Sequence, residues 1–355
     1  MKLATIVLTF GLFASAGFAQ TYHVFTMSNT SPNEVLMYTR GSGGTLSLTT
    51  TAATGGNGTN VFLASQGAIA VEEKALFAVN SKSDSISVLN ISGSTLKLVG
   101  TVSSNGTQPV SLTYSKGVLY VLNSGGSGSI SGFTFDKTTG TLTLIAGSTQ
   151  PLSGMPNSGG AQISFTKNGA YLIVTEKNTN LIDVYAVKAG VAGPPTSYSS
   201  NAPTPYGFAT GLNNRFYLSE ANGAVVNGSS VSSYSLPGGV PHIISASVPT
   251  EQYAACWVAL NAANTVAYVT DAMSAAVSVF SIDSTGHLAL IQTVITPEPP
   301  FDNAVSGDGL YYYQLTATGT NHQIVPYNIG ANGILTQLPA VNGSGSAIGL
   351  VTVTN

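Results

Sequence analysis

Three carboxylates close three copies of one short pattern: Glu176 ends YLIVTE, Glu220 ends RFYLSE and Asp271 ends VAYVTD. Neighbouring carboxyls that repel one another separate in pKa, so that one stays ionised while the other holds its proton, which equips a site with a general base and a general acid. Lys177 follows Glu176 directly, and Lys82 stands two residues after the equivalent Asn80, so an ammonium is available to polarise a carbonyl. Glu176, Glu220, Asp271 and Lys177 are therefore the candidate catalytic residues. Asn80 and Asn123 end two further copies, while Gln162, Tyr206, Trp257 and Asp302 open the runs that precede a copy; with Lys82 they are the candidate substrate-binding residues. Each of them alone also fits a structural role, because Asn, Asp and Glu end strands by satisfying turn amides.

Other chemistries find no support in spacing. The four histidines, His23, His242, His287 and His322, fall away from these positions, so neither a Ser-His-Asp triad nor a histidine metal centre is indicated. Cys256 has no histidine near it and reads as a small buried hydrophobe. Gly-Ser-Gly-Gly and Gly-Gly-Ser-Gly-Ser are not followed by helices and are turns, not phosphate loops. No cofactor and no metal ligand set is expected, the alternative being a divalent cation held by the same carboxylates and by carbonyl oxygens.

The elements that position these residues repeat. HVFTMSN, ALFAVN, VLYVLN, YLIVTE, RFYLSE, VAYVTD and LYYYQL recur every 43 to 53 residues. A second strand pattern follows each copy (ISVLNI, IDVYAV, VSVFSI), then often a Gly turn and a third (TLKLVG, TLTLIA, HLALIQ). A further run precedes six of the copies (GAIAVE, PVSLTY, AQISFT, YGFATG, CWVALN, DNAVSG), and 349–354 at the C-terminus supplies the seventh. Four short strands per repeat of this length are the mark of a β-propeller. The chain is expected to be all-β, a seven-bladed β-propeller whose ring is closed by the C-terminal strand pairing into the N-terminal blade, which removes an open sheet edge. In such a ring the ends of the recurring strands and the starts of the preceding runs surround one mouth of the central channel. The Gly, Pro and Ser-rich segments 49–60, 149–160, 188–205, 237–254 and 295–300 read as loops.

Lys2, the apolar run 3–14 and the small residues Gly17 and Ala19 predict a secretory signal peptide over 1–19, leaving a single domain over 20–355. A secreted protein, extracellular or periplasmic, is expected. Charged residues make up only 7% of the chain and the net charge is −3, which gives no basic field for nucleic acid or for an anionic membrane. One cysteine excludes an internal disulfide framework. Sequons at Asn29, Asn57, Asn90, Asn105, Asn227 and Asn342 make a glycoprotein an expectation. A small-molecule ligand and a monomeric state are expected.

The repeats, with GGAQISFTKNGAYLIVTEKNTNLIDVY, PTPYGFA, SEA and VPTEQYAACWVALN, resemble the lactonase family of seven-bladed β-propellers, which includes bacterial 6-phosphogluconolactonases and fungal carboxymuconate cyclases. The resemblance runs nearly end to end and is nearest to secreted members of the family. It implies a hydrolase or isomerase site at the channel mouth with histidine and arginine, typically in a Gly-Pro-x-His element at the start of an inner strand. Here those starts read TQPVS, GGAQIS, TPYGF, AACWV and PFDNA, without histidine, and Arg40 and Arg215, the two arginines, fall at the other end of the blades. A phosphorylated or multiply carboxylated substrate needs bidentate cationic recognition that two lysines supply poorly. The sequence therefore points to a lactonase-like propeller hydrolysing or isomerising a neutral lactone or sugar-like molecule. The alternative is a non-catalytic secreted propeller that binds a saccharide, peptide or surface partner at the same mouth.

Overall fold

The computed structural model describes residues 20–318, 321–343 and 347–354; the segment 1–19 expected to be a signal peptide lies outside them. The recurring β-branched and aromatic pattern forms the second strand of every blade: Tyr22–Met27, Ala75–Asn80, Val118–Asn123, Tyr171–Glu176, Arg215–Glu220, Val266–Asp271 and Tyr311–Thr318. Seven antiparallel sheets follow in chain order, each four strands across, with an extra two-residue strand on blades 3 and 7. Among the described residues helical structure is confined to short 3-10 turns, and no helix is long and apolar enough to cross a membrane.

The second strands read as unbroken apolar runs because both of their faces are buried. In blade 4, Leu172 and Val174 pack against Tyr120, Leu122 and Ile130 of blade 3, while Ile173 packs against Phe208, Phe216 and Leu218 of blade 5. Strand alternation thus sends successive residues into two different inter-blade layers. Blade 1 takes its inner strand from the C-terminus, Ile348–Thr354, which pairs antiparallel with Tyr22–Met27 in the register Tyr22↔Thr354 to Met27↔Ile348. At the end of the blades away from the mouth, Arg40 of blade 1 pairs bidentately with Asp308 of blade 7, its guanidinium 3.6 Å from the Tyr22 ring and 4.6 Å from the Tyr311 ring.

Two of the segments read as loops contain outer strands. Val191–Ser199 completes blade 4 and His242–Pro249 completes blade 5. Pro194 and Pro195 hide the first of these in the sequence, yet an outermost strand with one unpaired edge tolerates a missing N–H. The segment 49–60 likewise begins inside the outer strand Leu46–Ala53.

Candidate functional site

The ends of the second strands and the starts of the inner strands meet at one mouth, as the pairs Pro109↔Asn123, Gly160↔Glu176, Pro205↔Glu220, Ala255↔Asp271 and Pro300↔Thr316 show. The same five inner strands carry a register shift just after that first pair. A bulge kinks its strand and re-aims the side chains beside it. Tyr206 and Gly207, Cys256 and Trp257, and Phe301 lie within three of these shifts.

The second strands have no bulge there, so their last side chains keep the strand alternation and enter the inter-blade layers. The three carboxylates consequently do not form one pair across the mouth. Each is fully buried in its own set of donors. Glu176 accepts from the Ser153 N–H and hydroxyl (both 2.8 Å) and from Thr179. Glu220 accepts from Ser230, Ser232, Ser247 and the Ala202 N–H. Asp271 accepts from Ser278 at 2.7 Å, and burial outweighs that bond, pushing its carboxyl up to about 7. The acid beside Glu176 is Asp183 of the same blade, which burial first and Glu176 second push up to about 7. Asn80 is held by Asn33, Thr54, Ser85 and Ser87, and Asn123 donates to Ser104. Gln162 clamps two inner strands together, accepting from the Phe208 N–H at 2.7 Å and donating to its carbonyl at 2.9 Å. Lys82 is exposed outside this arrangement.

The mouth is filled by the chain itself. Segment 57–68, between the outer strand of blade 1 and the inner strand of blade 2, crosses it and bonds to blades on every side. Asn29 of blade 1 donates to the Val61 carbonyl, Ser65 donates to Val110 of blade 3, and the Gln66 N–H donates to Ala161 of blade 4. Across the ring, the Gln66 amide closes a two-bond clamp on Val258 of blade 6, and Trp257 donates to the Ser65 carbonyl at 2.8 Å. Gly58 and Gly207 permit this approach, since a Cβ on either would collide with the Asn29 backbone or the Gln66 amide. Asn29 is buried in these contacts, so its sequon does not present a free amide. An uncharged loop carrying the triplet Val61-Phe62-Leu63 was the signal in the sequence for such a plug.

Four of the expected residues, Lys177, Tyr206, Trp257 and Asp302, do converge around the plug. The Tyr206 and Trp257 rings lie 5.2 Å apart edge to face, Trp257 and Phe301 5.8 Å apart, and Phe62 of the plug 4.7 Å from Phe301. Lys177 lies 5.1 Å over the Tyr206 ring and donates to Ala64 at 2.8 Å and to Gly160 at 3.4 Å. Without a carboxylate partner, burial pulls its ammonium down to about 8. Burial also pushes Asp302 up to about 8 against the pull of the Asn303 and Leu350 N–H groups, and raises the Cys256 thiol and the Tyr206 phenol. Cys256 packs as a small apolar group among Tyr206, Ala254 and Trp257. Among the described residues no group of three His, Cys, Asp or Glu side chains is placed to hold a metal ion.

Residues 21–155 match the family model described as lactonase, 7-bladed beta-propeller. The ring is a seven-bladed propeller, and its matched residues 21–155 are similar to the lactonase family. Solved structures of the same architecture include a protein from Lactobacillus plantarum, 18% identical with a TM-score of 0.75 over 94% of this chain and 99% of that one. They also include a proposed 6-phosphogluconolactonase of Bacteroides uniformis, 16% identical with a TM-score of 0.74, covering 94% and 99% of the two chains. The periplasmic gluconolactonase of Pseudomonas aeruginosa is 16% identical with a TM-score of 0.72 and the same coverage. At these identities the likeness establishes the fold. None of the curated proteins matches the sequence.

Proposed function

We propose that this lactonase-like propeller is a secreted hydrolase that opens a neutral lactone at the channel mouth, with Lys177 as the group that acts on the reacting atoms. The observation that carries the reading is the lysine itself: an amine held near pH 8 by burial, at the mouth, with one of its three protons left over after Ala64 and Gly160 take two. As the ammonium it donates that proton in a hydrogen bond to the lactone carbonyl and stabilises the oxyanion formed when water adds. As the free amine at higher pH it accepts a proton from the attacking water. The carbon–oxygen bond of the ring then breaks, the ring oxygen leaves as a hydroxyl, and the hydroxy acid formed releases one proton to solvent. The enclosed carboxylates Glu176, Glu220 and Asp271 take the supporting part in this scheme, fixing the strand ends from which Lys177 and the inner strands project. The scarcity of cationic side chains favours an uncharged substrate, as Arg40 and Arg215 both sit at the far end of the blades.

Proton release from a panel of lactones tests the reading. Lys177→Met should lower kcat/KM about 100-fold, and the wild-type rate should rise through about pH 8. Equal rates for the two proteins at every pH would end it. Export is checked by sequencing the N-terminus of the mature protein, which should begin at Gln20.

A further inference from the structure

We infer that the mouth selects lactones bearing an alkyl chain over sugar lactones; the inference rests on the reading of this mouth as a lactonase site and names its substrate class. Five large apolar side chains stand exposed there: Val61 (62%), Phe62 (48%), Val225 (56%), Val226 (68%) and Met273 (58%). They cluster around the aromatic group beneath: Phe62 touches it directly, Val225 and Met273 follow residues packed on it, and Val61 and Val226 adjoin Phe62 and Val225 in the chain. Phe62 contacts both Trp257 and Phe301, at 5.8 and 4.7 Å between ring centroids. Ala224, next to Val225, and Ala272, next to Met273, pack on the cluster of Tyr206 and Trp257.

A contiguous exposed apolar patch on a soluble protein marks a binding surface. The chemistry of the patch narrows the ligand. Segments 57–68, 221–229 and 272–275 contain no charged residue, and 250–254 contains only Glu251. A sugar lactone exposes hydroxyls on both faces and needs a convergent set of hydrogen-bonding side chains, whereas the exposed side chains of these segments are mainly valine, methionine and phenylalanine, with Asn60, Asn227 and Glu251 as the exposed polar ones. The remaining N–H of Lys177 supplies one donor, enough for a lactone carbonyl. An aliphatic substituent on the ring then lies across Phe62 and Val226 and is drawn out of water.

Trp257 is the only tryptophan of the chain, so its fluorescence reads occupancy of this face independently of turnover. Titration with γ-lactones from butyro- to dodecalactone should show Kd falling by up to about fourfold per added methylene, with kcat/KM rising in step and glucono-δ-lactone bound and opened poorly. The surface double variant Val226→Asp, Met273→Asp should flatten the chain-length series. A Kd independent of chain length, or a preference for gluconolactone, overturns the inference. Chain-dependent binding without proton release supports the apolar specificity and removes the hydrolase reading. Proton release without chain dependence does the reverse.

Discussion

The two ends of the blades treat their charged groups in opposite ways. Toward the mouth, shifted carboxyls and lysines all move toward neutrality: Asp183 and Asp271 rise to about 7, Asp302 rises to about 8 and Lys177 falls to about 8. At the far end they all move toward ionisation. Asp308 is held at about 2, its bonds to Arg40 and Ser306 overcoming burial; Asp283 is held at about 2 by Thr285 and nearby N–H groups; Lys137 is raised by Glu73 and Glu72. The cause is the company each end keeps. The mouth pairs its acids with hydroxyls, amides and a single carbonyl-bound lysine around a plug that buries them, and desolvation wins. The far end gives its charged groups direct partners: Arg40 for Asp308, Glu72 and Glu73 for Lys137, and Thr285 with nearby N–H groups for Asp283. It also holds the ion pair that joins blades 7 and 1.

The largest test of this contrast is at the mouth. Trp257→Ala removes a ring that is 1% exposed, its bond to Ser65 and its contacts with Tyr206, Phe62 and Phe301. Denaturant unfolding should show a loss of about 4 kcal/mol. Arg40→Met, which leaves Asp308 alone between blades 7 and 1, should cost about 3 kcal/mol; an equal loss for Asp308→Asn is expected if the pair and not the stacked tyrosines carries the closure.

The pH dependence comes next, and its sign differs between the ends. The folded pKa values of Asp183, Asp271 and Asp302 lie above the unfolded carboxyl value, so between about pH 4 and 8 the native state binds more protons and stability falls as pH rises. Asp308 behaves oppositely: its contribution is present above the unfolded value and is lost as pH falls toward 2. Melting followed from pH 5 to pH 8 should decline, and Asp302→Asn should return on the order of 2 kcal/mol at the alkaline end while changing little at pH 5. A melting temperature flat over this range would show the mouth to be better solvated than its burial implies.

Gln66→Ala should cost about 1–2 kcal/mol, because it leaves the Val258 N–H and carbonyl without partners beneath the plug. The smallest effect belongs to the far surface, where Lys137 bridges Glu72 and Glu73 in open solvent and Lys137→Met should leave stability unchanged within error.

The architecture was readable in the sequence to a fine grain. Five of the seven second strands coincide residue for residue with ALFAVN, VLYVLN, YLIVTE, RFYLSE and VAYVTD. Period and strand chemistry are local properties, and closure by the C-terminal strand follows from counting. The outer strands of blades 4 and 5 were obscured by Pro194, Pro195 and by small polar residues, since an edge strand makes few demands on its sequence. The mouth was readable only as a place. Tyr206, Trp257 and Asp302 meet there at or beside the bulges of their inner strands, and Lys177 reaches in from the turn after Glu176, whereas Glu176, Glu220 and Asp271 end unbulged second strands and turn aside.

What the sequence determined by itself was a seven-fold repeat of four strands and its closure. What the tertiary structure decided was which residues share a space. The bond from Gln66 to Val258 spans 192 positions, and nothing local to either residue encodes it. Burial likewise set the titration of Lys177 and Asp302, because the penalty for a charge depends on how much water the surrounding blades and the plug leave beside it.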